Sequence, residues 1–473
     1  MNNIEKFPAD FIWGTATASY QVEGAFDEDG RGLSIWDTFS KTKGKVLHSH
    51  NGDVACDQYH RYKDDVKLMK KLGIKSYRFS ISWSRIYPKG FGEINNSGIE
   101  YYKNLCDELL GAGIEPCVTL YHWDLPQVLE DRGGWRNRET AQYFSEYAET
   151  VFRELGSRVK MWITLNEPFC SAMLGHATGE HAPGIKDINI AYKVLHNLYL
   201  AHGLAVKIFR DDQFEGEIGI SLNLDRPRPA SGSIEDKKAA EISEIKGARL
   251  YMDPLYGRGY PQWLFDNDSD FDPDIKEGDM QLIAQKLDFI GLNYYTEQAA
   301  LFQNETNWKA QTTDIDKSEM GWDIIPEGLT RLLIWMSKNY NNPEIYVTEN
   351  GGAFIDKLSE DKTSCIDPER VSYLDSHFSA CKKAIDKGVN LKGYYLWSFL
   401  DNFEWAFGYT KRFGITYVDF VTLERIPKDS FYFYRDYIST NGLVGSKLVW
   451  SQLRCCSTMQ PYLLAYASKG ALS

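Results

Sequence analysis

Runs of residues with strand propensity alternate with helical patterns along the whole chain of 473 residues. This alternation is typical of repeated βα units around a parallel sheet. One predicted helix covers residues 97–110, with Ser97 as its cap and with Gly111 and Gly113 ending it. The strand-like runs are as many as a closed (β/α)8 barrel needs. They cover residues 11–16, 76–83, 115–122, 161–166, 217–223, 288–295, 344–349 and 391–398.

Two glutamates each end one of these runs beside an asparagine. Glu167 follows Asn166 and precedes Pro168, and Glu349 precedes Asn350. More than a third of the chain separates the two glutamates. Only a fold that gathers the ends of distant strands on one face can bring them together, as a barrel does. The predicted fold class is therefore α/β, a single-domain (β/α)8 TIM barrel with extended βα loops, with both carboxylates in one pocket.

Polar and aromatic residues also recur at the other predicted strand ends. Arg78 lies inside the second run, where a buried arginine needs an anionic partner. Amide, imidazole and carboxyl groups can hydrogen-bond the hydroxyls of a neutral sugar ring, and tryptophan can stack on its face. The strand ends thus predict a polar cup with aromatic walls. Its further members are Gln21, His122, Trp123, Asn293, Tyr295, Trp397, Glu404 and Trp405.

Composition and charge limit the classes of partner and the compartment that this chain is expected to have. A net charge of −13 argues against nucleic acid or an anionic membrane as the main partner, because phosphate binding needs clustered cations. No run approaches the ~18 apolar residues of a membrane span, and the start lacks a signal-peptide pattern. The eight cysteines show no ligand-like spacing, which favours reduced thiols. We therefore predict a cytoplasmic protein with neither metal nor cofactor, and leave its oligomeric state open, a homo-oligomer included.

The segments that contain Glu167 and Glu349, with those over residues 11–24 and 431–437, resemble glycoside hydrolase family 1, the retaining β-glucosidases and their relatives. The resemblance spans nearly the whole chain. It includes the Thr-x-Asn-Glu-Pro segment that ends at Pro168 and the Thr-Glu-Asn-Gly segment that ends at Gly351. It also includes the segments over residues 11–24 and 431–437. Because the family usually ends near Asn441, we predict a hydrolase domain over residues 1–441 and a non-domain tail over residues 442–473.

The resemblance implies a role for each candidate residue. Glu167 is expected to be the general acid/base and Glu349 the nucleophile, with Arg78 and Tyr295 keeping Glu349 ionised. A retaining mechanism then requires the two carboxyls ~5–5.5 Å apart. The residues expected to bind substrate are Gln21, His122, Trp123, Asn166, Asn293, Trp397, Glu404, Trp405 and, toward the entrance, Trp322.

The expected substrates are small β-glycosides and short oligosaccharides such as cellobiose. The expected reaction removes terminal β-D-glucosyl residues, with β-galactosidase and β-fucosidase side activities. A first alternative is a 6-phospho-β-glucosidase, whose known members replace Glu404 with a small hydroxyl residue and hold phosphate with lysine and tyrosine. Glu404 and Phe413 argue against it, whereas Lys411 and Arg412 favour it. A second alternative is a non-catalytic sugar-binding protein, although such proteins lack one or both glutamates.

Overall fold

The computed structural model describes residues 6–442, in which eight parallel strands close into a barrel. Each strand pairs with its neighbours in sequence, and the first strand also pairs with the last. The predicted (β/α)8 barrel is confirmed. Its strands are β1 Ile12–Ala16, β2 Ser76–Ser80, β3 Glu115–Tyr121, β4 Met161–Asn166, β5 Glu217–Asn223, β6 Phe289–Asn293, β7 Glu344–Asn350 and β8 Leu391–Trp397.

Helices follow the strands and cover the outside of the barrel. The helix over Glu139–Leu155 buries Ala141, Phe144, Ala148 and Val151, whose spacing places them on one face. Its charged residues are exposed or half-buried, as expected of a helix packed on a sheet. The main helices after β1 to β8 are α1 Gln58–Leu72, α2 Asn96–Gly111, α3 Glu139–Leu155, α4 Ile188–Asp211, α5 Ile234–Glu244, α6 Pro326–Asn339, α7 Pro368–Asp386 and α8 Asp429–Thr440.

The βα connections are long and carry short elements of their own. The short helices are Ser19–Val22, Ile35–Lys41, Leu47–Ser49, Trp83–Ile86, Gln127–Glu130, Gly134–Arg136, Cys170–Thr178, Ile245–Arg249, Leu250–Met252, Pro254–Tyr256, Gln262–Asn267, Asp279–Ile283 and Trp405–Thr410. Small sheets form from Arg228–Pro229 with Ala299–Phe302 and Trp308–Ala310, from Lys357–Leu358 with Cys365–Ile366, and from Thr416–Val418 with Arg425–Pro427.

Two predicted details are wrong. The run over residues 76–83 stays a strand only to Ser80, because the amide of Ser82 leaves the sheet and donates to the Tyr102 hydroxyl at 2.8 Å. The predicted cap at Ser97 lies inside α2, since that helix begins one residue earlier and Asn95 is its N-cap. The Asn95 side chain donates to backbone carbonyls of other segments, including Arg85, and does not cap the helix.

The core has two layers. The larger layer lies between the strands and the surrounding helices, and a second cluster fills the barrel interior. Cys117, Ile163, Phe289, Tyr346 and Tyr395 belong to this inner cluster and are almost fully buried. A filled interior makes the barrel a solid support, so a ligand site can form only at its ends.

The strands that end in the two glutamates both lose regular register at their carboxyl ends. Pairing between β4 and β5 shifts between Ile163 and Asn166. Pairing of β7 shifts on both sides after Val347. Such irregularities re-aim side chains and are common beside active sites. The barrel is therefore regular at its core and distorted where the glutamates lie.

Residues 443–473 lie outside the described part of the chain, as does most of the predicted tail over residues 442–473. Within residues 6–442, no helix is both long and apolar enough to span a membrane. In the same range, no group of three or more histidine, cysteine, aspartate or glutamate side chains is arranged to hold a metal ion.

Candidate active site

A cavity of about 580 Å³ opens at the carboxyl ends of the barrel strands and is lined by both glutamates. Its position agrees with the rule that functional groups of such barrels lie on the βα loops. Most of the side chains predicted for the site meet there. Those that line the cavity are Glu167, Glu349, Tyr295, His122, Trp123, Asn293, Trp397, Glu404, Trp405 and Trp322.

Arg78, Asn166 and Gln21 lie behind this lining. Asn166 is buried and its Oδ1 accepts hydrogen bonds from Arg78 Nη2 at 2.6 Å and from Asn293 Nδ2 at 3.0 Å. Gln21 is also buried, and its Nε2 donates to the Asn402 side chain at 3.0 Å. Arg78 and Asn166 thus hold the lining groups Glu349 and Asn293 in place.

Glu349 is held by a cation and a phenol. Arg78 Nη1 donates to its Oε1 at 2.7 Å, and the Tyr295 hydroxyl donates to its Oε2 at 2.6 Å. Burial leaves the pKa of the Glu349 carboxyl raised, although the Arg78 cation and the bonds from Tyr295 and Arg78 oppose this effect and favour the charged form. The anionic partner predicted for Arg78 is thus Glu349. Both oxygens of Glu349 are fixed by donors that favour the carboxylate.

Glu167 has a different environment because no cation contacts its carboxyl among the described residues. Asn293 Nδ2 donates to its Oε1 at 2.7 Å, and the Cys170 thiol donates to its Oε2 at 3.0 Å. Burial, and next the nearby charge of Glu349, raise the pKa of Glu167 to about 7. Glu167 also has φ +44°, which is a strained conformation for a residue with a side chain. Burial thus raises the pKa of both carboxyls, and the two differ in that only Glu349 is paired with a cation.

Several buried polar atoms near the cavity have no hydrogen-bond partner within residues 6–442. They include Glu404 Oε2, His122 Nδ1 and Gln21 Oε1. Leaving such atoms unpaired costs roughly 1–3 kcal/mol each. Burial, with the charges of Glu349 and Glu167 adding to it, raises the pKa of Glu404 to about 8. A ligand rich in hydroxyl groups can both donate to and accept from this set.

Aromatic rings form much of the remaining wall. Trp397 stacks nearly parallel to His122, and Trp405 packs between Trp123 and Trp36. Trp123 and Trp405 have φ +76° and +47°, so the backbone is strained at these wall positions as it is at Glu167. Rigid apolar faces beside fixed polar groups suit the two sides of a sugar ring.

Part of the lining could not be read from motifs. Asp225 and Lys246 reach the cavity from the long connection between β5 and β6, and Trp308 reaches it from a small sheet in the next connection. Loop conformation gives no periodic signal in the sequence. The contact of Cys170 with Glu167 did have a signal, because Pro168 starts a helix and Cys170 is three residues beyond Glu167.

Comparisons with known proteins agree with this geometry. The glycosyl hydrolase family 1 profile matches residues 3–443. "Beta-glucosidase A" of Acetivibrio thermocellus is 49% identical over 92% of this chain and 99% of its own length. "1,4-beta-D-glucan glucohydrolase" of Thermotoga neapolitana is 46% identical over 93% of this chain and its own full length.

A solved structure gives the same result in three dimensions. The β-glucosidase of Thermotoga maritima in complex with glucoimidazole is similar with a TM-score of 0.90 and 48% identity, covering 92% of this chain and 99% of that one. The family profile, the similar sequences and the similar structure agree, and the chain belongs to glycosyl hydrolase family 1.

Proposed function

We propose that this protein is a retaining exo-β-glucosidase that hydrolyses terminal β-D-glucosyl residues of small β-glycosides and short oligosaccharides such as cellobiose. One observation carries the proposal. Two buried carboxyls line one cavity, Glu349 paired with Arg78 and Glu167 without a cation. Retaining hydrolysis needs such a pair, one ionised and one protonated.

In the first step, a carboxylate oxygen of Glu349 attacks the anomeric carbon and forms an ester bond. The bond from that carbon to the leaving-group oxygen breaks, and the proton of Glu167 goes to the departing oxygen. In the second step, water attacks the same carbon, the ester bond breaks, and Glu167 takes the proton of the water. Two inversions restore the starting configuration. We keep the prediction that the carboxyls are ~5–5.5 Å apart.

The electrostatics support this cycle. The charge of Glu349 is one cause of the raised pKa of Glu167, second only to burial. Ester formation removes that charge, so the pKa of Glu167 falls after the first step. Glu167 then changes from an acid to a base without moving.

Glucose fits the polar and aromatic groups around Glu404. Glu404 and Trp405 line the cavity and Gln21 lies behind the lining, and unpartnered oxygens of Gln21 and Glu404 can accept hydrogen bonds from sugar hydroxyls. Exo action stays a prediction, because it requires a pocket closed at one end that admits only a chain terminus. Glucose is proposed as the main sugar because similar proteins are named β-glucosidases. Galactose and fucose differ from it little enough to be side substrates.

The 6-phospho alternative has less support. Arg412 Nη1 donates to the Asp401 carboxylate at 2.5 Å and to the Val418 carbonyl at 3.0 Å. The ammonium of Lys411 donates to the Glu319 carbonyl. Neither cation lines the cavity, whereas Phe413 does. A phosphate bound beside Glu404 would therefore be faced by neither Lys411 nor Arg412.

We also propose a cytoplasmic location. The six cysteines within residues 6–442 are free and buried, and none is paired in a disulfide. Unpaired thiols are typical of a reducing compartment. Fractionation of the native host, with activity assayed in each fraction, tests this proposal.

Initial rates on p-nitrophenyl glycosides test the proposed function. The panel holds β-glucoside, β-galactoside, β-fucoside, α-glucoside and 6-phospho-β-glucoside, each with wild type and Glu349→Gly. Glu344→Gly, at the opposite end of β7, is the matched control. We expect turnover of the β-glucoside that Glu349→Gly nearly abolishes, that added azide restores as a glucosyl azide, and that the control retains.

Other outcomes overturn the proposal. Preference for the phosphorylated substrate would favour the 6-phospho alternative. Binding of glucose without turnover by the wild type would favour a non-catalytic sugar-binding protein. Turnover that Glu349→Gly retains would remove Glu349 from its role as nucleophile.

A further inference from the structure

The thiol of Cys170 contacts the carboxyl of Glu167 directly. Cys170 Sγ donates to Glu167 Oε2 at 3.0 Å, and the backbone amide of Cys170 donates to the Glu167 carbonyl at 2.9 Å. Cys170 begins the π-helical segment Cys170–Thr178 and lines the cavity. Main chain and side chain of Cys170 thus both hold Glu167, whose backbone is in a strained conformation.

A neighbour from β5 fixes the direction of this thiol. Asn223 Nδ2 donates to Cys170 Sγ at 3.9 Å. Because the sulfur accepts from Asn223, its single hydrogen is available for the carboxyl of Glu167. Asn223 also lines the cavity, and its Oδ1 has no hydrogen-bond partner among the described residues. The chain of contacts therefore runs from the cavity wall through the thiol to Glu167.

The two donors to Glu167 approach different oxygens. Asn293 holds Oε1 and Cys170 holds Oε2, so the plane of the carboxyl is set from both sides. Neither donor is charged in its hydrogen-bonding form, so the carboxyl can still take up a proton. The charged and titratable groups that surround Glu167 from the other elements are Glu349, Arg78, Tyr295, Glu404 and His122.

We propose that Cys170 is a positioning residue for acid catalysis, whose thiol orients the Glu167 carboxyl toward the leaving-group oxygen and stabilises the carboxylate formed when the proton departs. The inference rests on the proposed role of Glu167 as acid/base. Loss of the thiol has two separate effects. Glu167 becomes free to turn away from the leaving group, and its carboxylate loses one of two hydrogen bonds.

The dependence of the rate on the leaving group separates positioning from a general structural effect. Substrates with poor leaving groups need the proton of Glu167, whereas 2,4-dinitrophenyl β-glucoside does not. For Cys170→Ala we expect kcat/KM to fall about three- to tenfold on methyl β-glucoside and to change little on the dinitrophenyl substrate, since a neutral hydrogen bond contributes modestly. Cys170→Ser keeps a donor and is expected to restore most of the loss.

The pH profile of kcat/KM gives a second readout. Its alkaline limb reports loss of the proton from the acid of the free enzyme. Removing a donor from the carboxylate raises the pKa of Glu167, so the limb of Cys170→Ala moves to higher pH by about half a unit to one unit. With Cys170→Ser we expect the limb at or below its wild-type position. Cys106→Ala, which removes a buried thiol from α2, is the control and leaves both readouts unchanged.

Two further measurements keep the outcome decisive. Labelling by 2,4-dinitrophenyl 2-deoxy-2-fluoro-β-glucoside needs no acid, so normal labelling of Cys170→Ala shows a folded variant with an intact nucleophile. Glu167→Ala must itself show a strong dependence on the leaving group. If it does not, the proposed role of Glu167 fails.

Suppose that Glu167→Ala behaves as expected, while kcat/KM of Cys170→Ala falls equally on both substrates and the alkaline limb of its pH profile does not move. Only the inference about Cys170 is then wrong. A Cys170→Ala variant indistinguishable from wild type on both substrates overturns the inference in the same way. If Cys170→Ala is not labelled normally, the same comparison is made with Cys170→Val, which fills the site without a donor and is expected to behave as Cys170→Ala.

Discussion

Arg78 and Glu349 form a buried ion pair of 2.7 Å across 271 residues of sequence. The same guanidinium donates to Asn166 at 2.6 Å and to the Thr348 carbonyl at 2.8 Å. One side chain from β2 thus binds the ends of both β4 and β7, the strands that carry the two glutamates. The pair therefore favours the charged form of Glu349 and also fixes the relative position of the two strand ends.

Arg78→Gln is expected to impair the nucleophile in a pH-dependent way. Without the cation the pKa of Glu349 rises further, so less of it is ionised at a given pH. We expect the acid limb of kcat/KM to move to higher pH. We also expect kcat/KM at neutral pH to fall roughly a hundredfold or more, because an adjacent cation lowers a carboxyl pKa by about 1–3 units and the ionised fraction falls about tenfold for each unit lost. A pH–rate profile with p-nitrophenyl β-glucoside measures both effects.

Arg85→Gln is the matched control for this change. Arg85 is also buried and paired, with Glu23 at 3.1 Å, but Glu23 does not line the cavity, unlike Glu349. Its replacement is expected to lower stability without moving the acid limb. An acid limb that stays in place for Arg78→Gln would show that Arg78 does not maintain the charge of Glu349.

Glu404 is expected to make stability fall as pH rises. Its pKa is about 8 in the fold against an ordinary value of 4.5, so between these pH values the folded state binds more protons than the unfolded state. Stability from this group is therefore full below about pH 4.5 and is lost progressively toward pH 8. Glu404→Gln does not titrate. We expect the free energy of unfolding of this variant to exceed that of the wild type by an amount that grows from pH 5 to pH 8. The growth is on the order of 1 kcal/mol or more.

Thermal unfolding at several pH values tests this expectation, with the exposed Glu277→Gln as a control whose difference from wild type stays flat. A Glu404→Gln variant less stable than the wild type at pH 8 would contradict it. That result would mean that the charged form of Glu404 is well solvated in the fold.

Gly351 is expected to tolerate no side chain. It follows β7 directly, and an added Cβ would overlap the carbonyl oxygen of Trp397. Gly351→Ala must therefore displace either the end of β7 or the Trp397 wall, and we expect loss of about 2 kcal/mol or more in stability together with most of the activity. In Gly111→Ala the new methyl group meets no atom within 4 Å, and we expect a change of less than about 1 kcal/mol. Equal Tm values for the two variants would contradict this view.

The barrel and the two glutamates were predictable because they depend on local signals. Strand propensity, breaks at Pro168 and Gly351, and a helix after each strand give the fold, and strand ends in a barrel converge on one face. The arginine in β2 likewise predicted an anionic partner, which is Glu349.

Other features depend on long-range contacts and had no local signal. The start of α2 was misplaced by one residue, because Asn95 at the N-cap position donates to backbone carbonyls of other segments instead of capping the helix. The position of Asn166 behind the lining follows from its bonds to Arg78 and Asn293, which come from other strands. Trp308 reaches the cavity through the fold of a long loop, and loop paths follow from packing that periodicity does not encode.

The most direct test of the account is to trap the glycosyl-enzyme with 2,4-dinitrophenyl 2-deoxy-2-fluoro-β-glucoside and to map the labelled residue by mass spectrometry. We expect one sugar per active site, joined as an ester to Glu349, with release accelerated by an acceptor alcohol. A label on another residue, or hydrolysis that inverts the anomeric centre without any label, would contradict the retaining mechanism proposed here.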